Sequence, residues 1–370
     1  MAAIVGLATG LALRNHPNRL NLLWLGVFIA FTFLFYQYIP RLWEQQKFLV
    51  PDYEHYLFHL KINTVLMGTI LLAGIDGALF DHLRAIGFQW RYFRLSYLQY
   101  WLIGTVMALW SFVYIVDARN GIGLPTILYS FWFLCSVIIL IQSQIKSPNL
   151  KSWFVFLFAT TGLLIILCFA FLQPKVNPGL ANLIGDAKIA VQIDFYPNWQ
   201  NPGQLGYPKR DDGQTVTSNT YEQVAWATAG SRAILGYPAG VGILSYPFAI
   251  HANRPANMLT GQGASGIATH SGWVELGLAF GLPILVLIFS ALLVSFVNAI
   301  RGTYPAKMTI LGFIILIFSL YTVGEVAIDH GVEILFFLLA LIPTLMLTEK
   351  LTKNDHFKNR AINLTEQKSI

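Results

Sequence analysis

Residues 268–283 read A-T-H-S-G-W-V-E-L-G-L-A-F-G-L-P and join the longest polar segment of the chain to an apolar run. This stretch places a histidine and a carboxylate, His270 and Glu275, at the mouth of a predicted membrane helix. Burying an ionisable side chain in hydrocarbon costs at least a few kcal/mol, so such residues are functional candidates. The alternative is a histidine at the headgroup level whose polar tip reaches water. Convergence of other functional residues on His270 would distinguish the two interpretations.

The composition predicts a membrane protein. Hydrophobic residues make up 55% of the chain and charged residues 11%, and the mean hydropathy is +0.57. Soluble globules are less apolar, and the apolar runs approach the roughly 20 residues that cross a bilayer as a helix. The basic residues behind the net charge of +6 lie at the ends of these runs and in the C-terminal tail. That distribution is typical of cytoplasmic loops, so we expect membrane lipids and no nucleic acid as partners.

The apolar runs predict an all-α polytopic membrane protein with about nine transmembrane helices. The first run, residues 2–13, is short for a span, and its arginines follow it, whereas a secretory signal carries its positive charge first. The other runs lie at about 21–39, 62–80, 97–117, 122–143, 152–173, 272–299, 308–327 and 331–348.

The basic residues also set the predicted orientation. Most lysines and arginines outside the long polar segment lie on one side, together with the tail, which we therefore expect in the cytoplasm. An odd number of spans then places the N-terminus outside, together with the connections 40–61, 117–122, 174–270 and 328–331. The predicted parts of the chain are N-terminal helices (1–173), a large outer loop (174–270), C-terminal helices (271–348) and a cytoplasmic tail (349–370).

The outer loop is rich in Gly, Pro, Asn and aromatic residues and is predicted to contain short helices. Residues 178–194 have the spacing of a short amphipathic helix lying at the surface. Residues 217–235 begin with candidate N-caps and carry Arg232 near their end. The turn G-Y-P-A-G-V-G, residues 236–242, follows. We expect the loop to pack as a lid on the outer ends of the helices.

Two arginines of the outer face suit the binding of an anion. Arg119 lies in the tight connection V-D-A-R-N-G-I-G-L-P, and Arg232 precedes the glycine-rich turn. A guanidinium group stays charged and binds phosphate oxygens in bidentate geometry, which suits a diphosphate. The structural alternatives are an ion pair between Arg119 and Asp117, and a solvated helix C-terminus for Arg232. Taken singly, each arginine fits its structural alternative better.

The last outer connection, G-E-V-A-I-D-H-G-V-E, carries Glu325, Asp329, His330 and Glu333. These side chains could orient His270, bind an arginine or coordinate a metal. Asp329 and His330 are adjacent and no other close ligand spacing supports them, so a metal site is the weaker interpretation. A network of carboxylates and arginines that joins the helix ends is the simpler role.

Two further groups of side chains are predicted to be structural. Cys135 and Cys168 fall inside apolar runs, which offers neither a disulfide framework nor a zinc-ligand spacing, so we interpret them as small core residues. The acidic pair of K-R-D-D, residues 209–212, is typical of a solvated turn. The sequence predicts no metal and no cofactor.

Helical spacing predicts how the side chains after His270 are arranged. One face would carry His270, Trp273, Val274 and Gly277, and Glu275 would point about 140° away toward a neighbouring helix or loop. Trp273 could stack on a sugar, although tryptophan at a membrane interface is more often an anchor. Pro283 is expected to bend the span and tilt its outer half.

Together these motifs resemble the O-antigen ligase and polymerase superfamily. The pattern is A-R-x-G after a span, two further spans, a large outer loop with an arginine before G-Y-P-A-G-V-G, and H-S-G-W-V-E-L opening the next helix. The H-S-G-W form and D-H-x-x-E resemble most closely the lipid A-core:surface polymer ligases. The resemblance covers about residues 100–348. The chain departs from the family in having about three fewer N-terminal spans, and Ala118 where a serine is common.

The resemblance implies glycosyl transfer at the periplasmic face of a Gram-negative inner membrane. The donor would be a glycan on undecaprenyl diphosphate and the acceptor a sugar hydroxyl of lipid A-core. His270 would be the general base, and Arg119 and Arg232 would hold the diphosphate in an inverting, metal-independent reaction. The supporting residues would be Glu275, Asp329, His330, Glu333 and Trp273.

Two alternatives remain open. An O-antigen polymerase or a protein (pilin) O-oligosaccharyltransferase would share the donor and differ in the acceptor. A non-catalytic transporter would show charged residues at the bilayer midplane and paired broken helices. The spans here are nearly free of charge apart from Asp76, and no internal repeat is visible, so transport is disfavoured.

Overall fold

The computed structural model describes residues 1–13, 17–48, 61–86, 93–118, 120–146, 151–176, 182–200, 202–242, 269–302, 304, 306–324 and 331–346. Within these ranges the chain is helical and forms no β-strand beyond one isolated bridge between Lys209 and Thr215. The helices are α1 (Ala2–Leu13), α2 (Asn21–Gln45), α3 (Lys61–Ala85), α4 (Leu95–Trp110), α5 (Asn120–Lys146), α6 (Lys151–Val176), α7 (Leu183–Ala190), α8 (Pro202–Leu205), α9 (Ser218–Gly236), α10 (Gly272–Arg301), α11 (Lys307–Val323) and α12 (Gly331–Met346).

Four helical segments are long and apolar enough to cross a membrane, namely Trp24–Gln45, Asn63–Ala85, Leu95–Ile115 and Gly272–Arg301. The described residues also form shorter apolar helices at Ala2–Leu13, Gly123–Cys135, Thr160–Leu172, Lys307–Val323 and Gly331–Met346. The predicted class, an all-α membrane protein, is confirmed at this level. The number of nine spans stays a prediction.

Helix α3 lies at the centre of the bundle, because most of its apolar stretch is buried, whereas α2 and α10 expose most of theirs. Gly77 of α3 lies against the backbone of Thr309 on α11, where an added Cβ would be 2.8 Å from the Thr309 nitrogen. Small residues commonly allow such close approach between membrane helices. The one charged residue expected inside a span, Asp76, is fully buried, and its Oδ1 accepts a hydrogen bond of 2.7 Å from Trp101 Nε1 on α4.

Cys168 is a correction to the sequence analysis. It was expected in the core but is exposed on α6, whereas Cys135 is partly buried; both are free thiols. In a lipid solvent an exposed apolar position carries no penalty, so hydropathy alone does not separate core from lipid-facing residues.

The outer loop has a small apolar core of its own. Ile189 and Ile193, with Trp199, pack against α9, and this core continues onto α10 through Val274 and Leu278. The two helices predicted in the loop are therefore present as α7 and α9, and α9 matches its predicted range within one residue at each end. The expected packing of the loop on a membrane helix is realised on α10.

The K-R-D-D turn is only partly solvated, which corrects its prediction. The side chain of Arg210 is 7% exposed and lies 3.2 Å from Asp186, which is fully buried in α7. Arg210 also donates 2.9 Å to Asp212, and this guanidinium lowers the pKa of Asp212. The contact to Asp212 is therefore present at neutral pH and is lost as the pH falls below about 4.

We expect Arg210→Met to loosen the outer loop. The substitution leaves the Asp186 carboxylate buried without its cation, and an uncompensated buried charge is strongly unfavourable. The result should be faster proteolysis of the loop in the purified protein. Lys188→Met is the matched control, because the Lys188–Asp211 pair of 3.2 Å is exposed and such pairs stabilise little. Equal proteolysis rates for the two variants would contradict the structural role of Arg210.

Candidate functional site

Helix α10 is broken at Gly281, whose φ of 77° and ψ of −177° are not helical. Residues 272–280 form the short N-terminal segment of α10, called its outer half after the predicted orientation, and residues 282–301 form the longer C-terminal segment. The ring of Trp273 lies 4.9 Å from the ring of Phe289, although a straight helix would separate these residues by about 24 Å. The outer half therefore folds back over the rest of the helix. The predicted continuous span 272–299 is wrong in this respect, and the bend expected at Pro283 occurs two residues earlier.

The glycine-rich turn, residues 236–242, fills the break. Pro283 has no N–H group, so a regular helix would leave the carbonyl of Ala279 without its partner. Gly242 N–H supplies that hydrogen bond at 2.6 Å. Two more backbone bonds join the turn to the break, from Val241 N–H to Leu278 O (2.9 Å) and from Leu282 N–H to Pro238 O (2.8 Å). Buried backbone groups at an interrupted membrane helix need such partners, and here the outer loop provides them.

His270 lies just outside α10 and not on its surface. Its φ is 52°, a left-handed conformation that non-glycine residues adopt rarely, and α10 begins at Gly272 with Ser271 as the N-cap. Thr269 Oγ1 donates 3.0 Å to Ser271 O and so closes a small turn around His270. The predicted common face of His270 with Trp273 and Gly277 is therefore absent, because the helix starts after the histidine.

The imidazole of His270 stacks on the indole of Trp226, with ring centroids 5.6 Å apart and an angle of 11° between the planes. Trp226 is buried, and its Nε1 donates 2.9 Å to Trp199 O. Four residues further along α9, Gly230 lies against Val274 of the outer half of α10, where an added Cβ would be 2.5 Å from Val274 Cγ1. The same face of α9 therefore contacts the imidazole of His270 through Trp226 and the start of α10 through Gly230.

Sequence reasoning missed Trp226. The available signal was its spacing of four residues from Gly230, which places an aromatic and a small residue on one face of a predicted helix. Nothing in that spacing indicates which helix the face meets, so the partner could not be identified.

If His270 is the general base that the resemblance implies, we expect Trp226→Leu to lower glycan transfer by about 3- to 10-fold, because an aromatic pair contributes about 0.5–1.5 kcal/mol beyond its buried area. Trp226→Phe keeps a ring under the imidazole and should retain most of the activity. The measurement is the rate of glycan transfer at several pH values, with the amounts of folded protein matched by size-exclusion chromatography. Identical activity of the leucine variant and wild type would show that the stack is not used.

Glu275 and Trp273 both lie inside the protein. Glu275 is 1% exposed in the first turn of α10. Trp273 is also buried, donates 3.1 Å from Nε1 to Phe318 O, and contacts the ring of Tyr321 at 5.6 Å. Its indole therefore packs between the two halves of α10 and α11. It is buried in the protein, whereas a membrane-interface anchor is exposed to lipid headgroups.

Arg232 forms an ion pair with Asp194, with 2.7 Å between Nη1 and Oδ2. The side chains are 53% and 72% exposed, so Arg232 is solvated near the C-terminus of α9, as the structural alternative predicted, and is also paired with Asp194. Arg232 lies nearly two turns beyond Trp226 on α9, about 9 Å along the axis. Arg119, and with it the proposed pair with Asp117, lies outside the described residues.

One end of the last outer connection contacts the start of α10, and the other end contacts α11. Gly272 N–H donates 2.7 Å to Gly324 O, and the hydroxyl of Tyr321 donates to Gly331 O. Glu333 is exposed near the start of α12. The remaining predicted residues of this connection lie outside the described residues, namely Glu325, Asp329 and His330.

Among the described residues, no three His, Cys, Asp or Glu side chains are close enough together to hold a metal ion. The described site is therefore an imidazole on an indole platform, a buried carboxylate in the adjacent first turn, and an exposed arginine on the platform helix. Comparisons with protein-family models, with curated proteins and with solved structures found no match. The resemblance to O-antigen ligases accordingly rests on the sequence motifs quoted above.

Proposed function

We propose that this chain is a glycosyltransferase of the O-antigen ligase kind. It would transfer a glycan from undecaprenyl diphosphate to a sugar hydroxyl of lipid A-core, at the periplasmic face of a Gram-negative inner membrane. Nine spans, the outer loop 174–270 and a cytoplasmic tail are part of the proposal. The observation that carries it is the placement of His270, partly exposed beside the start of α10 and held against Trp226.

The stacked geometry suits a general base. Both nitrogens of an imidazole lie in the ring plane, so a ring covered on one face still offers its edge to a sugar hydroxyl. Histidine is the side chain most often used to accept a proton from a reacting hydroxyl. The acceptor oxygen would then attack the anomeric carbon while the diphosphate leaves. Direct attack without a covalent intermediate inverts that carbon.

The leaving diphosphate needs positive charge nearby. Arg232 is paired with Asp194 at the surface, and exposed pairs of this kind contribute about 0–1 kcal/mol. A diphosphate, with its higher charge and bidentate geometry, can therefore replace Asp194 at little cost. The start of α10 adds a positive helix end beside His270, which also favours an anion. Arg119 is the second proposed diphosphate ligand, and Glu275, Trp273, Asp329, His330 and Glu333 are the proposed supporting residues.

The test is complementation of Gram-negative cells whose own ligase gene is deleted. Lipopolysaccharide carrying long glycan and lipid-linked glycan are measured separately, with empty vector as the control. Long-chain lipopolysaccharide that appears only with this chain supports the proposal. If the lipid-linked glycan becomes longer instead, the chain is a polymerase. If the glycan becomes attached to protein, the chain is a protein ligase.

The break in α10 also favours a second candidate from another class. Discontinuous membrane helices are common at the binding sites of transporters. Here the break is filled by the glycine-rich turn, and no other described helix contains a non-helical residue of this kind. Transport predicts that the lipid-linked glycan changes sides of the membrane without changing its attachment, so the complementation assay would show neither long-chain lipopolysaccharide nor longer lipid-linked glycan.

A further inference from the structure

A cavity lies at the end of the helix bundle opposite to His270. It has a volume of about 280 Å³ and opens between α2, α3, α4 and α11. The length of helix α11 separates this cavity from the His270 site. Thr309 in the first turn of α11 lines the cavity, and Gly324 after the last turn of α11 contacts the start of α10. In the predicted orientation this is the cytoplasmic end.

The end of α3 brings both basic and acidic side chains to the cavity. His82 and Arg84 stand in the last turn of that helix and line the cavity together with Asp81. The Asp81 carboxylate is already engaged, because it accepts hydrogen bonds from the N–H groups of Met308 (2.9 Å) and Thr309 (3.0 Å). It caps α11, and His82 contributes an imidazole and Arg84 a guanidinium to the same lining.

The two basic side chains are held in place by neighbours. Arg84 donates a hydrogen bond to Tyr304 O in the connection between α10 and α11. The ring of His82 stacks on Tyr97 at 4.2 Å with 5° between the planes. The backbone N–H of Arg94 donates a 3.2 Å hydrogen bond to His82 Nε2. In the neutral ring the proton of His82 is therefore on Nδ1, which is the nitrogen that can donate.

The start of α2 also lines the cavity, through its first residue, Asn21. The 3₁₀ helix Pro17–Leu20 runs directly into α2 at this point. The imidazole and the guanidinium of α3 therefore line one cavity together with the polar side chain of Asn21.

We propose that this cavity binds a phosphate group, either in the headgroup of an anionic phospholipid or as free phosphate. A guanidinium offers bidentate donors to phosphate oxygens, and the volume accommodates a glycerophosphate-sized group. Basic pockets between membrane helices at the cytoplasmic side commonly hold phosphorylated headgroups. The proposal does not depend on the function of the His270 site.

The test uses the purified full chain in detergent, with phosphatidylglycerol as the probe and diacylglycerol, which lacks phosphate, as the control lipid. Native mass spectrometry measures the retained lipid in wild type, Arg84→Gln and Ala85→Phe. Ala85 is an exposed residue that lines the cavity, so the phenylalanine fills it while every charge stays. Arg301→Gln is the matched control, because Arg301 is exposed and does not line the cavity.

We expect retention of phosphatidylglycerol to fall about tenfold in Arg84→Gln and Ala85→Phe, as for the loss of one charge-assisted contact, and to stay unchanged in Arg301→Gln. A parallel thermal melt with inorganic phosphate identifies the source. Free phosphate is supported if inorganic phosphate stabilises wild type and Arg301→Gln but not the two cavity variants, and if none of the proteins retains phosphatidylglycerol. Equal lipid retention in all four proteins without a specific phosphate effect overturns the proposal. If Arg84→Gln fails to fold, Ala85→Phe decides alone.

Discussion

Replacing His270 with asparagine is expected to lower glycan transfer by about 10²- to 10⁴-fold, the range that a positioned general base contributes. Asparagine is the sharper substitution because it tolerates the left-handed φ of 52° at this position and cannot accept a proton at neutral pH. Alanine would remove the base and strain the turn at the same time. The measurement is the complementation assay, with folded protein quantified in the membrane fraction.

The two glycan pools distinguish loss of chemistry from loss of folding. A catalytic role predicts that lipid-linked glycan accumulates in His270→Asn cells while the protein level matches wild type. His270→Ala should give the same glycan result with a lower protein level. Wild-type transfer by the asparagine variant would exclude His270 as the base, and Trp226 would then be only part of the loop core.

The helices were largely predictable because their signals are local. The range expected for the second loop helix, 217–235, agrees with Ser218–Gly236, since an N-cap candidate and a glycine stand at its ends. Hydropathy likewise located the apolar helices. The break in α10 was not predictable in its form. Its hydrogen-bond partners come from the turn 236–242, about 40 residues earlier in the chain, and the apolar run continues across Gly281.

The site was predictable as residue types but not as contacts. The motif identified His270, yet the assumption that it continued the helix gave it the wrong neighbours. The structure stacks it on Trp226, a contact between segments 44 positions apart in numbering. Arg210 was misjudged for the same reason, because a basic residue in a turn reads as solvated until its buried partner Asp186 is known. Charge and composition describe single residues, whereas burial depends on which elements meet.

Gly281→Ala is expected to disrupt this arrangement with the largest effect on stability, about 2–5 kcal/mol. The φ of 77° with ψ of −177° belongs to a region that only glycine adopts without strain. An added Cβ would also lie 2.7 Å from Ala239 Cα in the glycine-rich turn, so the turn would have to leave the break. Thermal unfolding of the purified protein measures the loss, with Gly236→Ala as the matched control because Gly236 has open space and a helical backbone.

Gly240→Ala provides the reciprocal test from the other side of the contact. Gly240 has a φ of 76°, and its added Cβ would lie 2.6 Å from Ala279 O. If the turn and the break stabilise each other, the double variant should lose much less stability than the sum of the two single variants, because either substitution already separates the pair. Additive losses would instead mean that each glycine relieves only its own backbone strain. In that case the outer half of α10, and His270 with it, would be positioned by α9 alone through Gly230 and Val274.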